Sequence, residues 1–214
     1  MKLDCYMLTH DLKSVPGYAR KVEALGFDCL WAAETQHDPF LPLAIAATTT
    51  TRIKLGTAIA VAFPRSPMIT AHIAWDLQKA SDGRFCLGLG SQIKGHNERR
   101  FSVKFESPGP RLREVVLALR TIWDCWQNRT KLNFAGQFYR FDLMTPFFDP
   151  GPIEHPKIPI YIAALKQGEA DYYPMMAGQS VGLIKDLPGA GEVVETIIRE
   201  AREVLQALGK RVQQ

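Results

Sequence analysis

The sequence predicts an α/β fold, an incomplete TIM (β/α) barrel of about five to six strands. Short apolar strands alternate with helices in the order β-α-β-α-β-α-β over roughly the first 90 residues, which indicates a parallel sheet with right-handed crossovers. The turn after the first strand lacks the Gly-x-Gly-x-x-Gly pattern of dinucleotide-binding sheets. A barrel is therefore favoured over an open, doubly wound sheet.

Hydrophobic spacing predicts each element of the first half. Residues 52–62 are nearly all apolar, as expected for a strand that is buried on both faces. In the first helix, apolar residues recur at helical spacing and Gly26 marks the end. The predicted strands are residues 2–7, 27–32, 52–62 and 85–89, and the predicted helices are residues 14–25, 41–50 and 68–80.

The alternation changes in the second half. An amphipathic stripe predicts a helix whose Trp123 and Trp126 we interpret as core residues, and a β-hairpin is expected around Ala135-Gly136. A complete barrel usually takes roughly 250 residues, and here part of the length goes to this hairpin and a proline-rich loop. The predicted elements are a helix over 111–126, a hairpin over 131–143, a strand over 159–163, an apolar run over 181–184 and a helix over 192–208.

We expect one barrel domain over residues 1–214, with a helix-hairpin insertion over residues 104–157 and an atypical tail over residues 166–214. The net charge of +4, without a basic tract, does not indicate a nucleic-acid surface. We find no signal peptide and no apolar run of membrane-spanning length, so no membrane partner is expected. The four cysteines form no Cys-x-x-Cys pair, which favours reduced thiols in a cytoplasmic protein.

Polar residues follow two of the predicted strands where these strands end. The strand over residues 85–89 stops at Gly90-Ser91-Gln92, and the strand over residues 27–32 gives way to a polar stretch that contains His37. Ligands of parallel α/β proteins bind just beyond the carboxyl ends of the strands. These two exits therefore predict an active-site edge, although an ordinary strand exit with solvated charges would look similar.

Three segments carry a specific resemblance. They are Glu34-Thr35-Gln36-His37-Asp38-Pro39-Phe40 and the runs 56–67 and 81–90, supported by Ile122-Trp123-Asp124 and Gly136-x-Phe138-Tyr139. Residues 2–165 resemble the bacterial-luciferase-like superfamily, and within it the coenzyme F420-dependent oxidoreductases. The resemblance implies a TIM barrel with an insertion, and coenzyme F420 (a deazaflavin) or FMN at its carboxyl end. It implies hydride transfer with the deazaflavin, or monooxygenation of a small organic substrate with reduced FMN.

The resemblance also implies residue roles. His37 would lie over the cofactor ring, where an imidazole can donate or accept a proton near neutral pH. Glu34 would hold the ring edge or orient His37, and a non-proline cis peptide is typical of the strand that contains residues 58–61. No metal site is expected. The expected cofactor-binding residues are Ala58, Ala60, Gly90, Ser91, Gln92, Asn97, Ala163 and Ala164.

Each role has an alternative. His37 could instead cap the following helix or bond within its loop. Glu34 could be a surface carboxylate, which is the commoner fate of such residues. Residues 58–61 could be a plain buried strand, and residues 97–100 the start of a solvated helix.

Residues 166–208 resemble a different family, the C-terminal tail of FMN-dependent nitronate monooxygenases, mainly through the run 177–188. The chain is therefore either a fusion of two barrels or a divergent, shortened member of the first family. Two further functions stay open. One is a truncated or fused barrel without catalysis that oligomerises through its open sheet edge, and the other, weaker one is nitronate oxidation. We expect a small-molecule substrate and a homo-oligomer, a dimer.

Overall fold

The computed structural model describes residues 3–7 and 11–163 of the 214-residue chain. Within these residues, strands and helices alternate as the sequence predicts. The expectations for the apolar run 181–184, the helix over 192–208 and the second resemblance over 166–208 lie outside the described residues, as does Ala164.

Within the described residues the predicted elements are present, and most bounds differ by a few residues. A short π-helical segment, His96–Arg100, follows the fifth strand. The strands are β1 (Asp4–Tyr6), β2 (Cys29–Ala32), β3 (Lys54–Thr57), β4 (Ala60–Val61), β5 (Phe85–Gly90), β6 (Phe134–Ala135), β7 (Arg140–Phe141) and β8 (Ile160–Ile162). The α-helices are α1 (Val15–Ala24), α2 (Phe40–Thr49), α3 (Pro67–Ala80) and α4 (Pro108–Asn128).

The strands of the main sheet pair in parallel and in chain order. β1 pairs with β2 and β2 with β3, while β5 pairs with β3 and β4 on one side and with β8 on the other. Consecutive strands are thus neighbours, which is the strand order of a (β/α) barrel and not of a doubly wound sheet. The described residues form an arc of such a barrel, and the predicted fold class is confirmed.

The two faces of this arc carry different residues. The face toward the helices buries Leu30 and Leu87 completely. The opposite face, which we call the inner face, carries Trp31, Gly56 and Tyr161. The rings of Trp31 and Tyr161 meet edge to face with centroids 5.8 Å apart. A Cβ on Gly56 would lie 2.2 Å from the Trp31 ring, so the glycine leaves the space that the indole fills.

The third predicted strand, residues 52–62, is two strands. β3 and β4 are separated by Ala58 and Ile59, whose peptide bond is cis, as the resemblance implies. Just before this break, the Thr57 hydroxyl donates to the Gly88 carbonyl at 2.7 Å and accepts from the Gly88 N–H at 2.9 Å. The strands approach so closely here that a Cβ on Gly88 would lie 1.9 Å from the Thr57 carbonyl oxygen.

Helix α4 packs on α3 through tryptophans. The rings of Trp75 and Trp126 meet edge to face with centroids 5.7 Å apart. The Trp123 indole N–H donates to the Ala71 carbonyl at 3.2 Å. Because Trp123 and Trp126 are only 3% and 0% exposed, their interpretation as core residues is confirmed.

The predicted hairpin is present, but its turn lies later than expected. β6 and β7 pair antiparallel, and the chain reverses over residues 136–139, where the Gly136 N–H donates to the Tyr139 carbonyl at 2.9 Å. The cause is a distant carboxylate. Glu114 of α4 accepts the N–H groups of Gln137 and Phe138, the latter at 2.6 Å. The position of the turn thus depends on a contact from α4, which the residues of the turn alone do not predict.

Candidate active site

Two cavities lie at the carboxyl edge of the parallel sheet. The first cavity, of about 120 Å³, lies at the exits of β1 and β2. The second cavity, of about 460 Å³, lies at the exits of β5 and β8, beside the start of α4. The first is lined by Tyr6, Met7, Leu12, Ala32, Ala33, Thr35, His37, Asp38, Leu41 and Pro42. The second is lined by Ser91, Pro108, Gly109, Leu112, Arg113, Val116, Ile162 and Ala163.

His37 lines the first cavity from the loop between β2 and α2, and it is exposed there. The next residue, Asp38, caps the start of α2. The Asp38 carboxylate accepts the N–H of Phe40 at 2.8 Å and that of Leu41 at 3.3 Å, at the start of α2. The capped helix start therefore fixes the backbone beside the imidazole.

A buried ion-pair network ties the exits of β2 and β4 together. Arg65 donates to both carboxylate oxygens of Glu34, at 2.6 and 3.0 Å, and to Asp38 at 2.9 Å. The Glu34 carboxylate also accepts the Val61 N–H at 2.7 Å. The side chains of Arg65 and Glu34 are only 17% and 6% exposed. Burial alone lowers the pKa of the Arg65 guanidinium, but the two carboxylates raise it above its ordinary value.

This network defines what Glu34 does in the described structure. The surface-carboxylate alternative is wrong, because Glu34 is 8% exposed. Its carboxylate bonds to Arg65 and Val61, and its N–H donates to the Ile59 carbonyl at 3.1 Å. Glu34 therefore fixes the segment after β2, which lines the first cavity, against β4. Glu34 can orient His37 only indirectly, by fixing this segment.

A line of contacts on the inner face joins the two cavities. The Tyr6 hydroxyl of the first cavity lies 3.5 Å from the Ala58 carbonyl oxygen. The next residue, Ile59, lies over Gly90, where an added Cβ would be 2.9 Å from the Ile59 side chain and 3.5 Å from the Ala163 Cβ. Ala163 belongs to the second cavity. The structure thus brings together the exits of β1, β3, β5 and β8, with the predicted residues Ala58, Gly90 and Ala163 on this line.

The remaining predicted residues take different positions. Ala60 is 1% exposed and packs in the core on the helix side of the sheet. Asn97 is fully buried, and its amide donates to the carbonyls of Ser91 at 2.8 Å and Ile93 at 3.0 Å. Asn97 therefore acts on the loop after β5, where Gln92 adopts a left-handed conformation with φ of 55°. The solvated-helix alternative does not describe this residue.

Three residues of this edge escaped the sequence analysis: Tyr6, Arg65 and Arg113. Arg113 is the only charged residue among the described residues that line the second cavity. Its signal, a basic residue near the start of an amphipathic helix, is common on solvated helix faces. Arg65 lies just beyond the third predicted strand, after Phe63 and Pro64, and that position was the usable signal.

Over residues 3–7 and 11–163, no group of three or more His, Cys, Asp or Glu side chains could hold a metal ion. Likewise, none of the helices in the described part is long and apolar enough to cross a membrane.

The parallel arc of strands places the chain in the class of (β/α)-barrel proteins. Its candidate site lies at the carboxyl edge, the usual place for a site in this fold. The model of the luciferase-like monooxygenase family matches residues 4–209. The chain belongs to this family. It is 51% identical over 170 residues to an uncharacterized protein of Mycobacterium tuberculosis, a match that covers 79% of this chain and 49% of the relative. The chain thus spans about half the length of the curated relatives that it matches.

Two solved structures show the same fold. One is the coenzyme F420-dependent tetrahydromethanopterin reductase of Methanopyrus kandleri, with a TM-score of 0.62 at 22% identity, covering 76% of this chain and 50% of that one. The other is the oxygenating constituent of 3,6-diketocamphane monooxygenase of Pseudomonas putida in complex with FMN, with a TM-score of 0.61 at 16% identity, covering 76% and 51%. Of these two proteins with the same fold, one depends on coenzyme F420 and the other binds FMN.

Proposed function

We propose that this protein is an oxidoreductase that exchanges hydride between coenzyme F420 and a small organic substrate. The observation that carries the proposal is the pair of cavities at one sheet edge, joined across Ile59 and Gly90. One cavity contains an imidazole and the other a guanidinium. The first cavity therefore offers a group for proton transfer, and the second offers a positive charge for an anionic group of the ligand.

The residues between and around the cavities fit a flat ring with an anionic tail. The Ile59 side chain fills the space that Gly90 leaves on the inner face, beside the methyl group of Ala163, so a planar group can pack against this apolar surface between the cavities. Arg113 supplies the positive charge that a phosphate-bearing tail needs. When bound, the deazaflavin ring would supply or accept the hydride.

His37 is the proposed acid–base group of the reaction. It lines the first cavity, so its imidazole can exchange a proton with a substrate that is bound there. The cavity volume of about 120 Å³ limits the reacting part of the substrate to a few heavy atoms. Replacing His37 with Asn should leave cofactor affinity unchanged and lower turnover by about 100-fold or more.

Fluorescence titration of the purified protein with coenzyme F420 and with FMN tests the proposal. We expect micromolar binding of F420 and weaker binding of FMN. Arg113→Gln should weaken binding by about tenfold, because one charge-assisted contact is lost. Arg20→Gln, an exposed arginine on α1, is the matched control and should change nothing. Binding of neither cofactor would refute the proposed function.

Reduced-FMN monooxygenation is the second candidate. It is favoured by the family match and by the FMN complex of one relative with the same fold. Tighter binding of FMN than of F420, with consumption of oxygen by the reduced complex, would select it. The dimer stays a prediction, and sedimentation of the 214-residue chain measures it.

A further inference from the structure

Tyr6 is a second polar side chain in the wall of the first cavity, and the proposed function has not used it. It ends β1, and its phenol oxygen lies 3.5 Å from the Ala58 carbonyl oxygen. Good O–H···O bonds are shorter, with a most common length of about 2.7–2.8 Å. The Tyr6 hydroxyl is therefore held weakly and can turn to a better partner at little cost.

The carboxylate of the same cavity is already committed. One oxygen of Asp38 accepts the N–H groups of Phe40 and Leu41, and the other accepts from Arg65 at 2.9 Å. Tyr6, in contrast, is 37% exposed and lines the cavity. A ligand oxygen that enters beside His37 thus meets a hydroxyl group whose present bond is long.

Burial raises the pKa of Tyr6, so its phenol keeps its proton at neutral and mildly alkaline pH. A neutral phenol both donates and accepts. It can donate a hydrogen bond to the carbonyl oxygen of a ligand. Alternatively, it can continue to donate to the Ala58 carbonyl and accept a hydrogen bond from an alcohol hydroxyl. The same group therefore suits both members of a carbonyl–alcohol pair.

We propose that the Tyr6 hydroxyl binds the reacting oxygen of the substrate in the first cavity, and that the substrates are small carbonyl compounds and the corresponding alcohols. The inference rests on the proposed function, because it places the substrate beside His37. The apolar lining residues Met7, Leu12 and Leu41 face the alkyl part of such a molecule. His37 exchanges the proton while Tyr6 fixes the oxygen.

Ligand-observed NMR tests this with two probes of nearly the same shape, cyclopentanone and methylenecyclopentane, of which only the ketone has an acceptor oxygen. Both are titrated into the wild-type protein, with and without bound cofactor, and into Tyr6→Phe and Tyr18→Phe. Tyr18 is the control, because its phenol donates to the Tyr6 backbone carbonyl at 2.9 Å and does not line the first cavity. Thermal melting checks that each variant is folded.

We expect Tyr6→Phe to weaken ketone binding by about fivefold to tenfold, the loss of one neutral hydrogen bond, and to leave the hydrocarbon within about twofold. Tyr18→Phe should change neither. Equal losses for both probes, an unchanged ketone affinity in Tyr6→Phe, or no ketone binding to the wild type would overturn the inference. The cofactor titration is separate, so failure of the proposed function and failure of the Tyr6 assignment give different results.

Discussion

The two halves of the candidate site edge are held by different forces. At the exits of β2 and β4, Arg65 binds Glu34 and Asp38 in a largely buried ion-pair network. At the exit of β5, the loop is held by the neutral amide of Asn97, and the strand below it fits closely because Gly88 has no side chain. The first half depends on matched charges and the second on fit, so the same kind of substitution should affect them differently.

The largest effect should come from breaking the charge-matched half. Arg65→Leu leaves the buried Glu34 carboxylate without its partner, and we expect the free energy of unfolding to fall by about 3–5 kcal/mol. Urea denaturation measures this. The double variant Glu34→Leu with Arg65→Leu removes both charges and should recover part of the loss. A double variant less stable than the single would contradict the comparison.

The next largest effect should come from the half that depends on fit. Gly88→Ala places a Cβ 1.9 Å from the Thr57 carbonyl oxygen. This oxygen belongs to the backbone, so it cannot move aside as the end of a flexible side chain could. We expect a loss of about 3 kcal/mol in denaturant unfolding. Gly109→Ala is the matched control, because nothing lies within 4 Å of its added Cβ and the residue is helical. The control should be neutral or slightly stabilising.

Removal of the amide should have a smaller effect. Asn97→Ala deletes the bonds to the carbonyls of Ser91 and Ile93, and we expect a loss of about 2 kcal/mol. Limited proteolysis should then cut within residues 91–97 faster than in the wild type. Asn133→Ala, at an exposed position, is the control. Unchanged proteolysis of Asn97→Ala would show that the loop is held by other contacts.

The smallest effect should come from Glu23, at the opposite end of the sheet, whose contribution to stability depends on pH. Burial alone raises the pKa of Glu23, but the N–H groups of Ile53, Arg52 and Thr51 and the charge of Arg84 lower it overall. Its stabilising contribution is therefore present above the unfolded pKa of about 4.3 and is lost as the pH falls through the folded pKa. The stability difference between wild type and Glu23→Gln should shrink on acidification. A difference that is constant with pH would contradict the assigned shift.

The fold was largely predictable because its signals are local. Helical spacing, alternating apolar strands and stop residues such as Gly26 at the end of the first helix lie within each segment, and these predicted the strands and helices from β1 to β5, with β3 and β4 as one strand. The hairpin turn was placed too early because Glu114, more than twenty residues away along the chain, binds the turn N–H groups. The division of the predicted strand over residues 52–62 into β3 and β4 was not predicted, and the family resemblance implied only the cis peptide at that point.

The candidate site was predictable where it depends on strand ends. Gly90 ends β5 and His37 lies in the loop that follows β2, and the structure places both at the carboxyl edge. The pairing of Arg65 with Glu34 depends on which exits become neighbours, and no short window of sequence contains that. Asn97 shows the converse case, in which a polar residue at an exit is fully buried and bonds to its own loop.

The packing of Trp31 across Gly56 gives the protein an optical reporter of its inner face. The chain has four tryptophans, and Trp75, Trp123 and Trp126 are buried on the helix side. Indole emission overlaps the absorption bands of flavins and deazaflavins, so a cofactor ring at the carboxyl edge would quench Trp31 by energy transfer. The difference between the emission spectra of wild type and Trp31→Phe would isolate that signal without any label.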